Sequence, residues 1–230
     1  MKYGICAYCM KEDGTTKDHI PPQCIFPKPR ATELIWVPCC ESCREGWSED
    51  DEEFRRYIWS AEGVEGHTSF EKASNQIISS IKRPEAKLYR NKILSSISSR
   101  EEYSESGIFL GNKTLMEIEW DRIERVLKRI VRGLFFKENN QLIPGDHEVI
   151  IKSYDKNIFD EVDKFQFKKM ANVCDGIFQY WLCKPNNEEN TSLWIMVFCN
   201  STPYLGYIRS IKNANNPPKP FSINTDSPIK

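Results

Sequence analysis

Hydrophobic and polar positions divide the chain into stretches of different period. Residues 1–60 show no sustained repeat. Gly14, Pro21, Pro22, Pro27, Pro29, Pro38 and Gly46 punctuate them, and their aliphatic side chains are too few for a core of their own. One run, Glu33-Leu34-Ile35-Trp36-Val37, predicts a strand stopped by Pro38. A helix is predicted to start near Cys40 to Cys43 and continue through 50–59; alternatively Asp50, Asp51, Glu52 and Glu53 form the solvated first turn of a second helix.

From Ser69 the period becomes helical. Phe70, Ala73, Ile77, Ile78 and Ile81 predict one helix broken by Pro84, and Ala86, Leu88, Tyr89, Ile93, Leu94 and Ile97 predict another. Residues 101–106 read as a polar connection. The clearest stripe is Ile118, Ile123, Val126, Leu127, Ile130, Val131 and Leu134, a helix ending at Gly133 whose other face mixes Arg, Lys and Glu. That mixture predicts an exposed, salt-bridged face. The period then shortens toward two. Strands are predicted over 148–151, 176–182, 192–198 and 204–208, with a turn-rich hairpin connection at 185–190. The proline-rich stretch 213–230 predicts an extended or disordered tail.

Composition narrows the class. A hydrophobic fraction of 40% and an aromatic fraction of 12% in 230 residues suit a folded chain. No apolar run reaches the ~20 residues that a spanning helix needs, and residues 1–6 lack an apolar signal core, so a cytoplasmic location is expected. A net charge of −1 excludes a broadly cationic nucleic-acid binder but leaves room for a local basic groove.

The nine cysteines change the picture most. An odd count with no secretory signal disfavours a disulfide framework and favours metal binding. Cys174, Cys183 and Cys199 lie among apolar residues and read as small core hydrophobes. Cys6-x-x-Cys9 and Cys40-x-x-Cys43 are two CxxC pairs, whose four thiolates suit a tetrahedral structural Zn²⁺ site. Cys39 could take the place of Cys40, although Cys40 keeps the spacing; Cys24 reads as a packed spare.

Between the pairs stands Thr16-Lys17-Asp18-His19-Ile20-Pro21-Pro22. Asp-His followed by Ile and Pro, framed by CxxC pairs, resembles the HNH (ββα-metal) endonucleases of the small standalone bacterial or phage type. The resemblance implies His19 as general base for the attacking water and Asp18 as ligand of a catalytic Mg²⁺ or Mn²⁺ ion. The chemistry suits these groups, since imidazole titrates near neutrality and a carboxylate is a hard oxygen ligand. Two positions depart from the family pattern. Glu33 stands where an asparagine usually steadies the histidine loop. Arg44 stands where a second metal ligand is usual, and a guanidinium cannot coordinate a cation. Glu33, Glu45, Asp50 or Asp51 could supply the missing oxygen, Arg44 could instead meet the scissile phosphate, or catalysis could be lost.

The remaining histidines read as structural: His67 on a surface loop, His147 at a strand start beside Asp146. Lys28, Arg30, Arg55 and Arg56 flank the motif and are the candidate phosphate contacts. The expectation is therefore an α+β protein. A zinc-braced ββα module occupies 1–60, an α+β domain of helices followed by a C-terminal helix and small antiparallel sheet occupies 61–212, and the tail follows. Its expected activity is metal-dependent hydrolysis of DNA more than RNA, with a noncatalytic zinc module binding nucleic acid or protein as the alternative. A protein partner or a homo-oligomer fits either.

Overall fold

The stripe predicted over 118–134 belongs to one long helix against which the N-terminal segment and the later sheet pack. A computed structural model describes residues 2–153, 169–183 and 191–211; the connection at 185–190 and the tail at 213–230 lie outside them. The fold is α+β. Near the N-terminus, strands β1 (Thr16–His19) and β2 (Trp36–Cys39) pair antiparallel, with Asp18 opposite Val37 and His19 opposite Trp36. The chain then enters a short helix α1 (Glu41–Arg44) and a longer α2 (Trp47–Ile58). Of the two expectations, the two-helix one holds. Glu45 is extended and Gly46 takes φ 81°, a left-handed conformation that glycine adopts without a Cβ penalty.

Two amphipathic helices follow, α3 (Phe70–Ile81) and α4 (Lys87–Ser95). The predicted polar connection at 101–106 is instead part of a β-hairpin, β3 (Ile97–Tyr103) with β4 (Phe109–Met116). Every β3 position is solvent-exposed, so neither face alternates and periodicity gave no strand signal. After α5 (Trp120–Asn139) come β5 (His147–Ser153), β6 (Lys169–Val173), β7 (Phe178–Cys183), β8 (Ser192–Phe198) and β9 (Thr202–Ser210). They form an antiparallel sheet in the order β5-β9-β8-β7-β6.

Helix α5 joins this sheet to the N-terminal segment. It packs on α2 and β2 to one side and on β5 and β9 to the other. Ile123, Val126, Leu127, Ile130, Val131 and Leu134 are all at most 1% exposed. One hydrophobic cluster runs from Ile20, Val37 and Phe54 through α5 to Phe178, Trp194 and Tyr204. Residues 1–60, poor in aliphatics, thus bury their apolar side chains in a core shared with the rest of the chain.

The helix also passes through Gly133 rather than stopping there, and continues to Asn139. A Cβ at Gly133 would lie 2.2 Å from Ile20 Cδ1 and 3.1 Å from the Tyr8 hydroxyl. The glycine is therefore a point of close helix-to-strand approach. Gly133→Val is expected to lower stability by about 1–3 kcal/mol through overpacking, read from the denaturant midpoint. An unchanged midpoint would show that α5 can move off Ile20 at no cost.

Candidate metal centre and the surface around His19

Both CxxC pairs come together at one end of the β1–β2 hairpin. The thiol sulfurs of Cys6, Cys9, Cys40 and Cys43 all lie within 4.8 Å of one another, and Cys9 Sγ is 3.8 Å from Cys40 Sγ. Four sulfurs bound at ~2.3 Å around a tetrahedral ion stand about 3.8 Å apart. The cluster therefore has the donors and the dimensions to hold a metal ion such as zinc. Local backbone builds each arm. Met10 N–H donates to Cys6 O at 3.0 Å with Met10 at φ 54°, closing a tight turn around the first pair. Tyr8 N–H points at Cys6 Sγ at 3.4 Å, and Arg44 N–H donates to Cys40 O at 3.2 Å. The backbone N–H of Lys11 is the largest influence that draws the Cys9 thiol down to about 7, favouring a thiolate.

The other cysteines stand apart. Cys39 Sγ donates to Cys40 O at 3.2 Å, and burial pushes its thiol well up. The group of four sulfurs includes Cys40 and not Cys39. Cys24 donates to Asp51 O at 3.2 Å, and burial raises its thiol to about 12. Cys199 is buried and likewise raised to about 12.

Asp18 and His19 are neighbours in β1, so their side chains point to opposite faces of the hairpin. Asp18 turns inward and is 8% exposed. It accepts a hydrogen bond from the Tyr8 hydroxyl, and Arg129 Nε of α5 lies 3.7 Å from its Oδ2. Arg129, 7% exposed, also pairs through Nη2 with Asp51 of α2, and its guanidinium sits 4.3 Å from the Trp47 ring centroid. One buried guanidinium thus bridges two carboxylates from β1 and α2. Burial pushes Asp18 and Asp51 up from the ordinary aspartate value, outweighing the opposing pull of Arg129.

The arrangement does not suit a divalent ion at Asp18. The carboxylate already faces a cation and a hydroxyl donor, and the carboxylates weighed as a second ligand are elsewhere engaged or outward. Asp51 binds Arg129; Asp50 binds Arg122 and Arg125 at 2.8–2.9 Å; Glu33 and Glu45 are exposed. Among the described residues, the four-cysteine group is the one cluster that gathers three or more metal-donor side chains.

His19 occupies the outer face, half-buried. Burial lowers its pKa from the usual 6.5; Asp18 opposes this, while Lys17, Arg30 and Arg44 add to it. The imidazole is neutral at neutral pH and stands in a positive field. Trp36 lies opposite it in register, with Lys17 Nζ 4.2 Å from that ring and 5.2 Å from the Tyr3 ring. The imidazole and the Lys17 ammonium, with the Trp36 and Tyr3 rings, therefore stand on one side of the hairpin, and the charges of Arg30 and Arg44 lie near enough to bear on the imidazole, a combination able to meet phosphate and a base face together.

Other expected residues land differently. His67 is not a surface histidine. At 7% exposed it accepts from Ser69 N–H through Nδ1 at 3.1 Å and lies 3.2 Å from Asp175 O through Nε2, tying the segment before α3 to the β6–β7 turn. His147 starts β5 and contacts Asp146 at 2.8 Å. The basic face of α5 is salt-bridged locally in part, Lys128 with Glu124 and Arg122 with Glu119, while Arg122, Arg125 and Arg129 also reach across to Glu49, Asp50 and Asp51. Arg56 pairs with Glu53 inside the protein, leaving it unable to meet a phosphate. Sequence reasoning missed Tyr8 and Arg129. The available signal was the match between the acidic run 49–51 and basic residues spaced along one side of a helix.

No family model matches the chain, and no curated protein and no solved structure matches it.

Proposed function

We propose that residues 1–60 are a zinc-braced ββα module of the HNH type and that the protein hydrolyses DNA phosphodiester bonds with His19 as general base. The observation that carries the proposal is His19 itself, half-buried and held neutral by burial, on a surface with Lys17, Arg30 and Arg44. Neutral imidazole can take a proton from water. The resulting hydroxide attacks phosphorus, the P–O bond to the leaving oxygen breaks, and that oxygen takes a proton from solvent. Lys17, Arg30 and Arg44 meet the negative charge that builds on the phosphoryl oxygens. The structural ion in the cysteine cluster is zinc, which holds β2 and α1 against the 6–9 turn and so fixes the hairpin carrying His19. Asp18 takes no divalent ion in this reading, because Arg129 already supplies positive charge there.

The test is nicking of supercoiled plasmid by the pure zinc-loaded protein, run with no added divalent ion, with Mg²⁺ and with Mn²⁺ in parallel. Wild-type protein is expected to cut, and His19→Ala is expected to lose at least ~100-fold of the rate, the usual scale of a general base. Zinc content and thermal midpoint should stay the same. A specific observation favours a second reading. With Arg44 at a ligand position and Arg129 on Asp18, the module has the features of a binding domain that grips nucleic acid without cutting it. Intact, zinc-loaded protein that cuts nothing under any of the three conditions would select that reading.

A further inference from the structure

We infer that the cleft between the residue 26–30 loop, α2 and α3 seats the backbone phosphates flanking the scissile one on a bound DNA strand; the inference rests on the nuclease reading of His19. The cleft has a volume of about 550 Å³, within the size range of ligand sites. Lys28, Arg30, Arg55 and Arg83 line it, against a single carboxylate, Glu52. Arg55 takes up that carboxylate. Among the described residues, Lys28, Arg30 and Arg83 have no carboxylate partner, so three positive charges converge without compensation. The Arg55 Nε and Tyr89 hydroxyl are buried there with no hydrogen-bond partner. Converging cations repel one another unless an anion enters, and guanidinium groups match phosphate oxygens.

The geometry also sets direction. Lys28 is held at both backbone polar atoms by the Gln76 side chain, N–H to Oε1 at 3.0 Å and O from Nε2 at 2.9 Å. Arg30 is placed by its own bond from Nε to Gln23 O at 3.0 Å. Arg30 belongs to both places, lining the cleft and bearing on the charge of His19. Arg30 thereby links the cleft to the surroundings of His19. A group of cations beside a reacting centre suits a phosphodiester strand, whose charges repeat along its length. It also resolves how a chain of net charge −1 can grip DNA: the charge is concentrated rather than spread.

The experiment measures binding apart from cleavage. A short fluorescein-labelled DNA duplex is titrated with full-length zinc-loaded His19→Ala protein, with no chelator and no added divalent ion, across a range of salt, read by anisotropy. Adding Lys28→Ala and Arg83→Ala together should weaken binding and reduce the slope of log K against log salt by about 2, near 0.9 per lost phosphate contact. Both side chains are exposed, so zinc content and the melting curve should not move. The conservative pair Lys28→Arg and Arg83→Lys should keep the slope. An unchanged slope in the alanine pair overturns the inference. So does a melting shift by millimolar ATP, seen in the parent and lost in the alanine pair while the DNA slope stays fixed, since the cleft then takes a small nucleotide. A reduced slope in a protein that cuts no DNA keeps the cleft and removes the nuclease reading. Cleavage with an unchanged slope does the reverse.

Discussion

Cys9→Ser will remove the metal from the four-cysteine cluster and unfold the N-terminal segment. The physical reason is the balance described for residues 1–60. They have a two-stranded hairpin, two short helices and few aliphatics, and they bury part of the common core only when β1, β2 and the 6–9 turn are held together. Metal binding to a site of this kind contributes on the order of 10 kcal/mol or more, which exceeds or equals the whole net stability of an ordinary domain. Zinc content is expected to fall from about one equivalent to near zero. The cooperative melt of the segment should disappear, with amides of β1 and β2 losing exchange protection. Because α5 shares its apolar stripe with Ile20 and Val37, the sheet should also melt earlier. Cys39→Ala is the contrasting case. Its sulfur is not one of the four in the cluster and donates to Cys40 O, so zinc should remain and the loss should be that of one small buried side chain. Zinc retained by Cys9→Ser would contradict the assignment of the ligands.

Arg129→Met will be the most damaging single change away from the cysteines. It deletes the guanidinium paired with Asp18 while keeping most of the side-chain volume, and it takes Asp51's partner as well. Leaving buried charges unpaired costs about 3–5 kcal/mol. The sign of the pH dependence follows from the carboxylates. Burial already raises Asp18 and Asp51 above the unfolded value of 3.8, and loss of the guanidinium raises them further. A carboxyl with a raised folded pKa stabilises the fold below the unfolded value and loses that contribution as pH rises through the folded one. The deficit of Arg129→Met relative to wild type should therefore be largest at neutral pH and shrink on acidification toward the aspartate range. Adding Asp18→Asn and Asp51→Asn should recover part of the stability at pH 7. Denaturant midpoints at several pH values check all three statements. A deficit that grows on acidification would mean the carboxylates do not depend on Arg129.

Sequence alone carried the elements with a strong period or a strong motif. The 118–134 stripe, the strands at 148–151, 192–198 and 204–208 and the CxxC pairs all appear where their patterns place them. What it lacked were contacts between distant segments. Gly133 reads as a helix stop because glycine is a poor helix former, yet its partner is Ile20, far away along the chain. Asp50 to Glu53 read as the solvated first turn of a helix, since nothing local reveals that Arg122, Arg125 and Arg129 meet Asp50 and Asp51 across the helix pair. Asp18 is the sharpest instance. Its place beside His19 suggests a shared site, but strand geometry sends the two side chains to opposite faces, and only the packing of α5 shows which cation Asp18 meets. The β3–β4 hairpin was invisible for a different reason, exposure on both faces.

The initial nicking rate of zinc-loaded wild-type protein on supercoiled plasmid, set against His19→Ala at equal zinc content, tests the account most directly. The account predicts measurable nicking by wild type and at least a ~100-fold lower rate in the variant. Equal rates in the two proteins would contradict it, because the cutting would then owe nothing to His19.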